Sequence, residues 1–333
     1  QIQVLTVAGI CVGIVLVLVS GCSSQPKDIL VVGGFSGLGA ATDVAEHKGF
    51  LADEDIVLEF DSVDSSEELM TKFIAGTYDL IQTNADNVIA WAEGQGMDGQ
   101  KHDFVIILGG YRGRQPMELV VAADIASVDD LRGKVLAVDA INTGYAPMLV
   151  YMLRQEGLVW KQDYDLKSVG GGPMRVESML KGETAGGLVT LDDALRQRGF
   201  HTLLTSADYI SDYARAVTTA RRDWADRNSD LLVRYVRAMV RSINWLLEPA
   251  NKSGAIAIIM AADGVSSAEA EQEYAKAVDP ALGFIADARI EPAGIDQILR
   301  IREVMGQMEA PLPTPGTYIE DRFYRQAMES SAR

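Results

Sequence analysis

The feature that most constrains this chain is a regular alternation of short apolar runs with amphipathic segments, which begins after Lys27 and occurs twice. In the first series, strands are expected at 29–34, 56–60, 78–82 and 104–109. Helices are expected at 41–50, from Asp64 or Ser65 to Gly76, and at 84–93. A further strand at 117–122 and the charged stretch Ser127-Val128-Asp129-Asp130-Leu131-Arg132-Gly133-Lys134 open the second series. Its strands fall at 135–139, 164–169, 186–189 and 202–205, and its helices at 143–156, 174–181 and 191–197. Short buried strands separated by helices of this length call for mostly parallel sheets covered by helices. From about Arg221 the pattern turns almost wholly helical, with apolar residues at three- and four-residue spacing over 229–247, 253–260, 266–277 and 293–308. A last helix is expected near 318–328, after the extended segment 310–315.

A chain of 333 residues exceeds what one hydrophobic core usually serves, so two α/β lobes with the helical tail packed back on the first are expected. Ligands of open α/β sheets sit at the carboxyl ends of strands, so two such lobes facing one another make a cleft that closes by hinge motion.

Charge narrows the function. With 47 acidic against 30 basic side chains the net charge is -17, and no run of four Lys or Arg occurs. Nucleic-acid binding needs a concentrated basic surface and is not expected. Cys11 and Cys22 are the two cysteines, both near the start, and His47, His102 and His201 are scattered. The body therefore offers neither a disulfide framework nor a metal-ligand spacing, and neither metal nor cofactor is expected.

Residues 4–19 carry no charge and are nearly all apolar. At 1.5 Å per residue they span roughly 24 Å, short of a hydrocarbon core of about 30 Å. The run ends in Val19-Ser20-Gly21-Cys22 ahead of a polar segment. Small residues before a cleavage point suit a signal peptide, and the cysteine directly after them resembles a bacterial lipobox. That resemblance implies cleavage before Cys22, lipidation of its thiol, and a body held at the membrane in the periplasm or cell envelope. A retained short transmembrane anchor is the alternative. The expected divisions are 1–21 as signal peptide with lipobox, 22–27 as linker, 28–117 plus 217–333 as lobe 1, and 118–216 as lobe 2.

One glycine motif points elsewhere. Gly33-Gly34-Phe35-Ser36-Gly37-Leu38-Gly39 follows a strand and opens a helix, and it resembles the cofactor turn of short-chain dehydrogenases. That family pairs a Tyr with a Lys four residues later. No tyrosine here has one; Tyr164 has Lys167 at three. A tight glycine turn at a strand end is the simpler expectation. No GxSxG, HExxH or P-loop pattern occurs, and catalytic residues are not expected. Asp129-Asp130 and Asp192-Asp193 read as solvated capping groups.

Several segments together resemble solute-binding proteins of ABC importers, of the taurine, sulfonate, nitrate and thiamine-pyrimidine (NMT1-like) type. They are Ala45-Glu46-His47-Lys48-Gly49-Phe50, Phe73-Ile74-Ala75-Gly76-Thr77-Tyr78-Asp79-Leu80, and Val128 through Val138 with its Asp-Leu-Arg-Gly-Lys step. Asn142-Thr143-Gly144-Tyr145-Ala146 opens a helix, and Val169-Gly170-Gly171 leads to Arg175, with Leu180-Lys181-Gly182 closing that helix. The resemblance implies the type II periplasmic binding protein fold, two hinged lobes with a cleft between them. By position it places Gly34, Phe35, Ser36, Asn84, Asp86, Gly110 and Tyr111 on the first wall. Asn142, Thr143, Gly144 and Tyr145 fall on the second, joined by Thr190 and Asp192.

The chemistry of these residues agrees with binding. Asn142, Thr143 and Gly144 would present a hydroxyl, an amide and free backbone N–H groups at a helix N-terminus, suited to an anionic or carbonyl group. Thr143 as a plain cap is the alternative. Phe35 and Tyr111 could sandwich a flat body, although Tyr111 as hinge packing is the simpler reading. Arg112 and Arg114 are the candidate anion clamp, and Arg175 is expected to support its own loop. The pyrimidine-synthase branch uses a histidine and a cysteine-rich segment; no cysteine follows Cys22, so binding without turnover is expected.

The expected partners are a small organic ligand (sulfonate, pyrimidine, carboxylate or similar), an ABC permease, and the membrane through the lipid anchor, with the protein a monomer. A neutral or weakly anionic ligand is favoured unless Arg112 or Arg114 turns inward. A sensory or scaffold protein of the same fold, acting through a membrane partner, is the alternative.

Overall fold

A computed structural model of the chain describes residues 27–35, 39–111 and 117–331. The apolar leader, Cys11, Cys22, Ser36, Arg112 and Arg114 lie outside the described residues. In the first series β1 (Asp28–Gly34), α1 (Gly39–His47), β2 (Ile56–Ser62), α2 (Ser66–Ile74), β3 (Leu80–Thr83), α3 (Ala85–Ala92) and β4 (Phe104–Leu108) follow one another. The second series runs β5 (Glu118–Val121), β6 (Val135–Val138), α4 (Tyr145–Gln155), β7 (Asp165–Ser168), α5 (Gly172–Leu180), β8 (Gly186–Val189), α6 (Asp193–Gln197) and β9 (His201–Thr205). The chain then returns through β10 (Val217–Arg221) to α7 (Arg222–Arg227), α8 (Ser229–Leu247), α9 (Lys252–Asp263), α10 (Ser267–Ala277), α11 (Pro292–Val304) and α12 (Arg322–Ser331).

The strands form two five-stranded sheets, ordered β2-β1-β3-β10-β4 and β7-β6-β8-β5-β9. Pairing is parallel among β1, β2 and β3 and among β6, β7 and β8. β10 runs antiparallel to β3 and β4, and β5 antiparallel to β8 and β9. Each sheet is thus mostly parallel, with one reversed strand.

β10 was not expected from sequence. Its Val-Thr-Thr-Ala-Arg run looks half polar, yet Thr218 and Thr219 are buried in the sheet interior. β-Branched threonine fits a pleated strand as valine does.

Local chemistry sets the helix starts. Ser65 accepts a hydrogen bond from the Glu68 N–H at 3.1 Å and so caps α2. Ser127 and Asp130 form a reciprocal capping box in the charged segment before β6, and Ser266 and Glu269 form another at the start of α10. The glycine motif after β1 has a packing explanation. A Cβ on Gly33 would lie 2.4 Å from the ring of Tyr78, so the strand passes the aromatic face only without a side chain.

The tail divides. α8 packs on α1 and α12, and α9 on α1 and α10, covering the outer face of the first sheet. α11 instead packs against both α3 and α4. Its Ile295, Ile298 and Leu299 share one core with Ile89 of α3 and Leu149 of α4. Each such side chain contributes about 1.5–3 kcal/mol on burial, against about 1 kcal/mol net for a hydrogen bond. Apolar packing therefore dominates the seam between the sheets, and the tail belongs to both. Among the described residues no helix is long and apolar enough to cross a membrane.

Candidate functional site

The carboxyl ends of β1, β3 and β6 meet at a cavity of about 520 Å³ between the two sheets. On the first wall Gly34 ends β1 and Phe35 follows it, Ser65 and Ser66 begin α2, Gln82 and Thr83 end β3, and Asn84 and Asn87 come from the start of α3. Tyr111, Arg215 and Ala216 come from the two crossings between the sheets, and Glu273 and Lys276 from α10. The second wall consists of Asp139 after β6, Tyr145 at the start of α4, and Gly170, Gly171, Gly172 and Arg175 around the start of α5.

Several of these groups already have partners. The Arg175 side chain is buried; Nε donates to the Leu188 carbonyl at 3.2 Å and Nη1 to the Gly170 carbonyl at 3.2 Å. Tyr111 stacks on Phe284 with ring centroids 4.2 Å apart, and burial pushes its phenol pKa upward. Phe35 is 42 % exposed and has room for a flat ligand face.

Two acceptors lack a partner. Asn87 is 2 % exposed; its Nδ2 donates to Thr83 Oγ1 at 2.8 Å, and its Oδ1 is left without a hydrogen bond. Asp139 Oδ1 is likewise buried without a partner. Burial drives the Asp139 pKa upward, opposed by the charge of Arg175 and by the backbone N–H groups of Ala140 and Tyr145. Its other oxygen, Oδ2, crowds Gly144. A Cβ there would come within 2.2 Å of it, and φ at Gly144 is +69°.

Below the cavity lies a closed polar junction. Arg302 of α11 is fully buried, and its Nη1 donates to Asp86 Oδ1 at 2.6 Å, with Asp86 1 % exposed. Arg302 Nε donates to Gln95 Oε1 at 3.0 Å, and Nη2 reaches the Asn142 carbonyl at 3.2 Å. The Tyr213 hydroxyl donates to the Gly144 carbonyl at 3.5 Å. Burial raises the Asp86 pKa, opposed by Arg302 and by the Gly144 N–H.

Of the residues singled out from sequence, Gly34, Phe35, Asn84, Tyr111 and Tyr145 line the cavity. Asp86 does not; its carboxylate is withdrawn into the pair with Arg302. Asn142 offers its carbonyl to the same arginine, and Thr143 is buried. The helix N-terminus that looked open to a ligand anion faces two carboxylates of the chain itself, Asp86 toward Gly144 and Asp139 toward Tyr145. Thr190 and Asp192 line a second cavity of about 600 Å³, which shares Gly172 and Arg175 with the first. Asp192 Oδ1 accepts from the Leu195 N–H at 2.9 Å and caps α6.

Sequence reasoning did not single out Gln82, Asn87, Asp139 or Glu273. For Asp139 a signal existed: an acid directly after the apolar strand Val-Leu-Ala-Val, with a glycine five residues on to admit it. Among the described residues no group of His, Cys, Asp and Glu could hold a metal ion.

Solved structures share this architecture at low identity. The periplasmic nitrate-binding protein NrtA from Synechocystis PCC 6803 aligns with a TM-score of 0.71 at 14% identity, covering 91% of this chain and 89% of that one. The alkanesulfonate-binding protein SsuA from Xanthomonas axonopodis pv. citri, bound to MOPS, gives 0.65 at 13%, covering 90% and 100%. The desulfurization enzyme DSZB gives 0.61 at 15%, covering 92% and 100%. At these identities the likeness establishes the periplasmic binding protein fold. No curated protein matches the sequence. A model of the NMT1-like family matches residues 34–260, more than half of the chain. The chain belongs to the NMT1-like family.

Proposed function

We propose that this protein is an extracytoplasmic solute-binding protein that captures a small organic molecule between its two lobes, 28–117 plus 217–333 and 118–216. The observation that carries this reading is the cavity of about 520 Å³ at the strand ends of both sheets. That volume lies in the range of small-molecule sites, about 300–1,000 Å³. Delivery of the captured solute to an ABC permease, and tethering of a monomer to the membrane through a lipid on Cys22, complete the proposal. The nitrate- and sulfonate-binding neighbours and the family membership support it.

DSZB shows that the same fold can carry an enzyme, so fold alone does not separate binding from turnover. The composition of the wall favours binding. Among the described residues the cavity lining contains no cysteine and no histidine, and its arginine on the second wall donates to backbone carbonyls.

Thermal shift against a panel of sulfonates, pyrimidines, carboxylates and amines tests capture. A true solute present at a hundredfold its Kd adds about 2.7 kcal/mol of stability. A panel that leaves the melting temperature unmoved throughout counts against solute capture.

A further inference from the structure

Resting on that reading, the two edges of the cavity differ in a way that gives its opening a direction. We propose that the solute enters where Gly171 meets Asp64, that the opposite edge at α11 stays shut, and that the bare α-carbon of Gly171 sets how far the entry edge closes. The entry edge lies between the start of α2 and the start of α5. Ser65 and Ser66 line the cavity on one side of it, Gly171 and Gly172 on the other. A Cβ on Gly171 would come 3.3 Å from the backbone oxygen of Asp64 on the facing wall, tighter than an ordinary contact between non-bonded atoms. The backbone of Gly171 does not itself call for glycine. Its φ of -59° and ψ of 176° are extended and open to any residue. Gly170 beside it is different, since its φ of +98° favours glycine locally. At Gly171 the approach of the other wall is what excludes a side chain.

The edges are also held differently. Among the described residues no hydrogen bond or ion pair joins 62–66 to 170–174. The Asp64 N–H donates to Glu68 in its own segment, and the Gly171 carbonyl accepts from the Arg175 N–H in its own helix. The α11 edge is bonded from both walls. Arg302 holds Asp86 of α3 together with the Asn142 carbonyl ahead of α4, and Gln307 Nε2 reaches the same carbonyl at 3.5 Å. Ile295, Ile298 and Leu299 fill the space between α3 and α4. Parting that edge would wet an apolar core and strip a buried guanidinium of its partners. Parting the entry edge breaks no hydrogen bond between the walls, so the cavity opens there.

Pulsed electron paramagnetic resonance on the full chain, with Cys11→Ser and Cys22→Ser, measures both edges without a solute. Spin labels at Glu67→Cys and Met174→Cys, both exposed positions, span the entry edge. Labels at Met97→Cys and Gln155→Cys, also exposed, join the two walls on the α11 side. Gly171→Trp should move the entry-edge distance outward by at least one atomic layer, about 4 Å, and leave the α11-side distance in place. Gly171→Ala should move it less. Circular dichroism and melting show whether each variant is folded, and Gly171→Leu supplies a second wedge should Gly171→Trp not fold. An entry-edge distance unmoved in folded variants, or an α11-side distance that shifts as far, would overturn the proposal. Because no solute is present, that failure is separate from a failure of solute capture, which the thermal-shift panel reads.

Discussion

Two buried aspartates flank the N-terminus of α4, and they have opposite surroundings. Asp86 approaches from the first sheet and is ion-paired with a fully buried arginine; Asp139 approaches from the second and has backbone amides as its hydrogen-bond partners, with the charge of Arg175 nearby. Each keeps one oxygen without a hydrogen bond, Oδ2 in Asp86 and Oδ1 in Asp139. The difference lies in what surrounds that oxygen. Asp86 is sealed among α3, α11 and the 142–144 loop, whereas Asp139 is part of the cavity wall although its Oδ1 is shut off from solvent. A buried charge with an ion-pair partner fastens the fold; a buried charge without one is a cost that the rest of the fold offsets.

The largest way to break that contrast is to remove the partner of Asp86. Arg302→Met leaves a carboxylate uncompensated in the seam, and chemical denaturation should show a loss of about 3–5 kcal/mol. A loss below about 1 kcal/mol would mean that the pair does not hold the lobes together. Next in size is Gly144→Ala. The new methyl would meet Asp139 Oδ2 at 2.2 Å on a backbone with φ +69°, and a loss of about 1–3 kcal/mol is expected. Restoring most of that loss with a second change, Asp139→Gly, would show that the clash and not the dihedral is responsible.

A smaller, pH-dependent effect comes from Asp43 on α1. Burial, with Asp263, Glu46 and Glu273 adding and His47 opposing, lifts its pKa from 3.8 to about 7. The folded protein then holds a proton that the unfolded chain releases between those two values. Stability from this group is present below pH 3.8 and is lost as pH rises toward 7. Asp43→Asn should flatten the fall in melting temperature between pH 4 and 7 and raise it at pH 8. An unchanged pH profile would contradict the burial of this carboxyl.

The same contrast explains what could be read from the sequence. The alternation of apolar runs and amphipathic helices sufficed for two mostly parallel sheets, because strand and helix periods are local properties. β10 escaped because Thr218 and Thr219 look polar until a sheet closes on both sides of them. Asp86 looked like a cleft residue because Arg302, its partner, lies 216 positions away. No local pattern announces such a pair. Asp139 looked like an ordinary strand-end acid, and only the fold shows that one of its oxygens has nothing to bond. Phe35 and Tyr111 were legible as aromatic candidates near strand ends, but the stacking of Tyr111 on Phe284 depends on a segment far along the tail.

Calorimetric unfolding of Asp86→Asn and Asp139→Asn, side by side and free of ligand, tests the contrast most directly. Asp86→Asn should lower the melting temperature sharply, since Arg302 is left charged and unpaired in the core. Asp139→Asn should leave it unchanged or raise it, since the amide keeps an acceptor for the α4 amides and removes a buried charge. An equal, large fall in both would show Asp139 to be a structural carboxylate like its neighbour, and would contradict the contrast between the two.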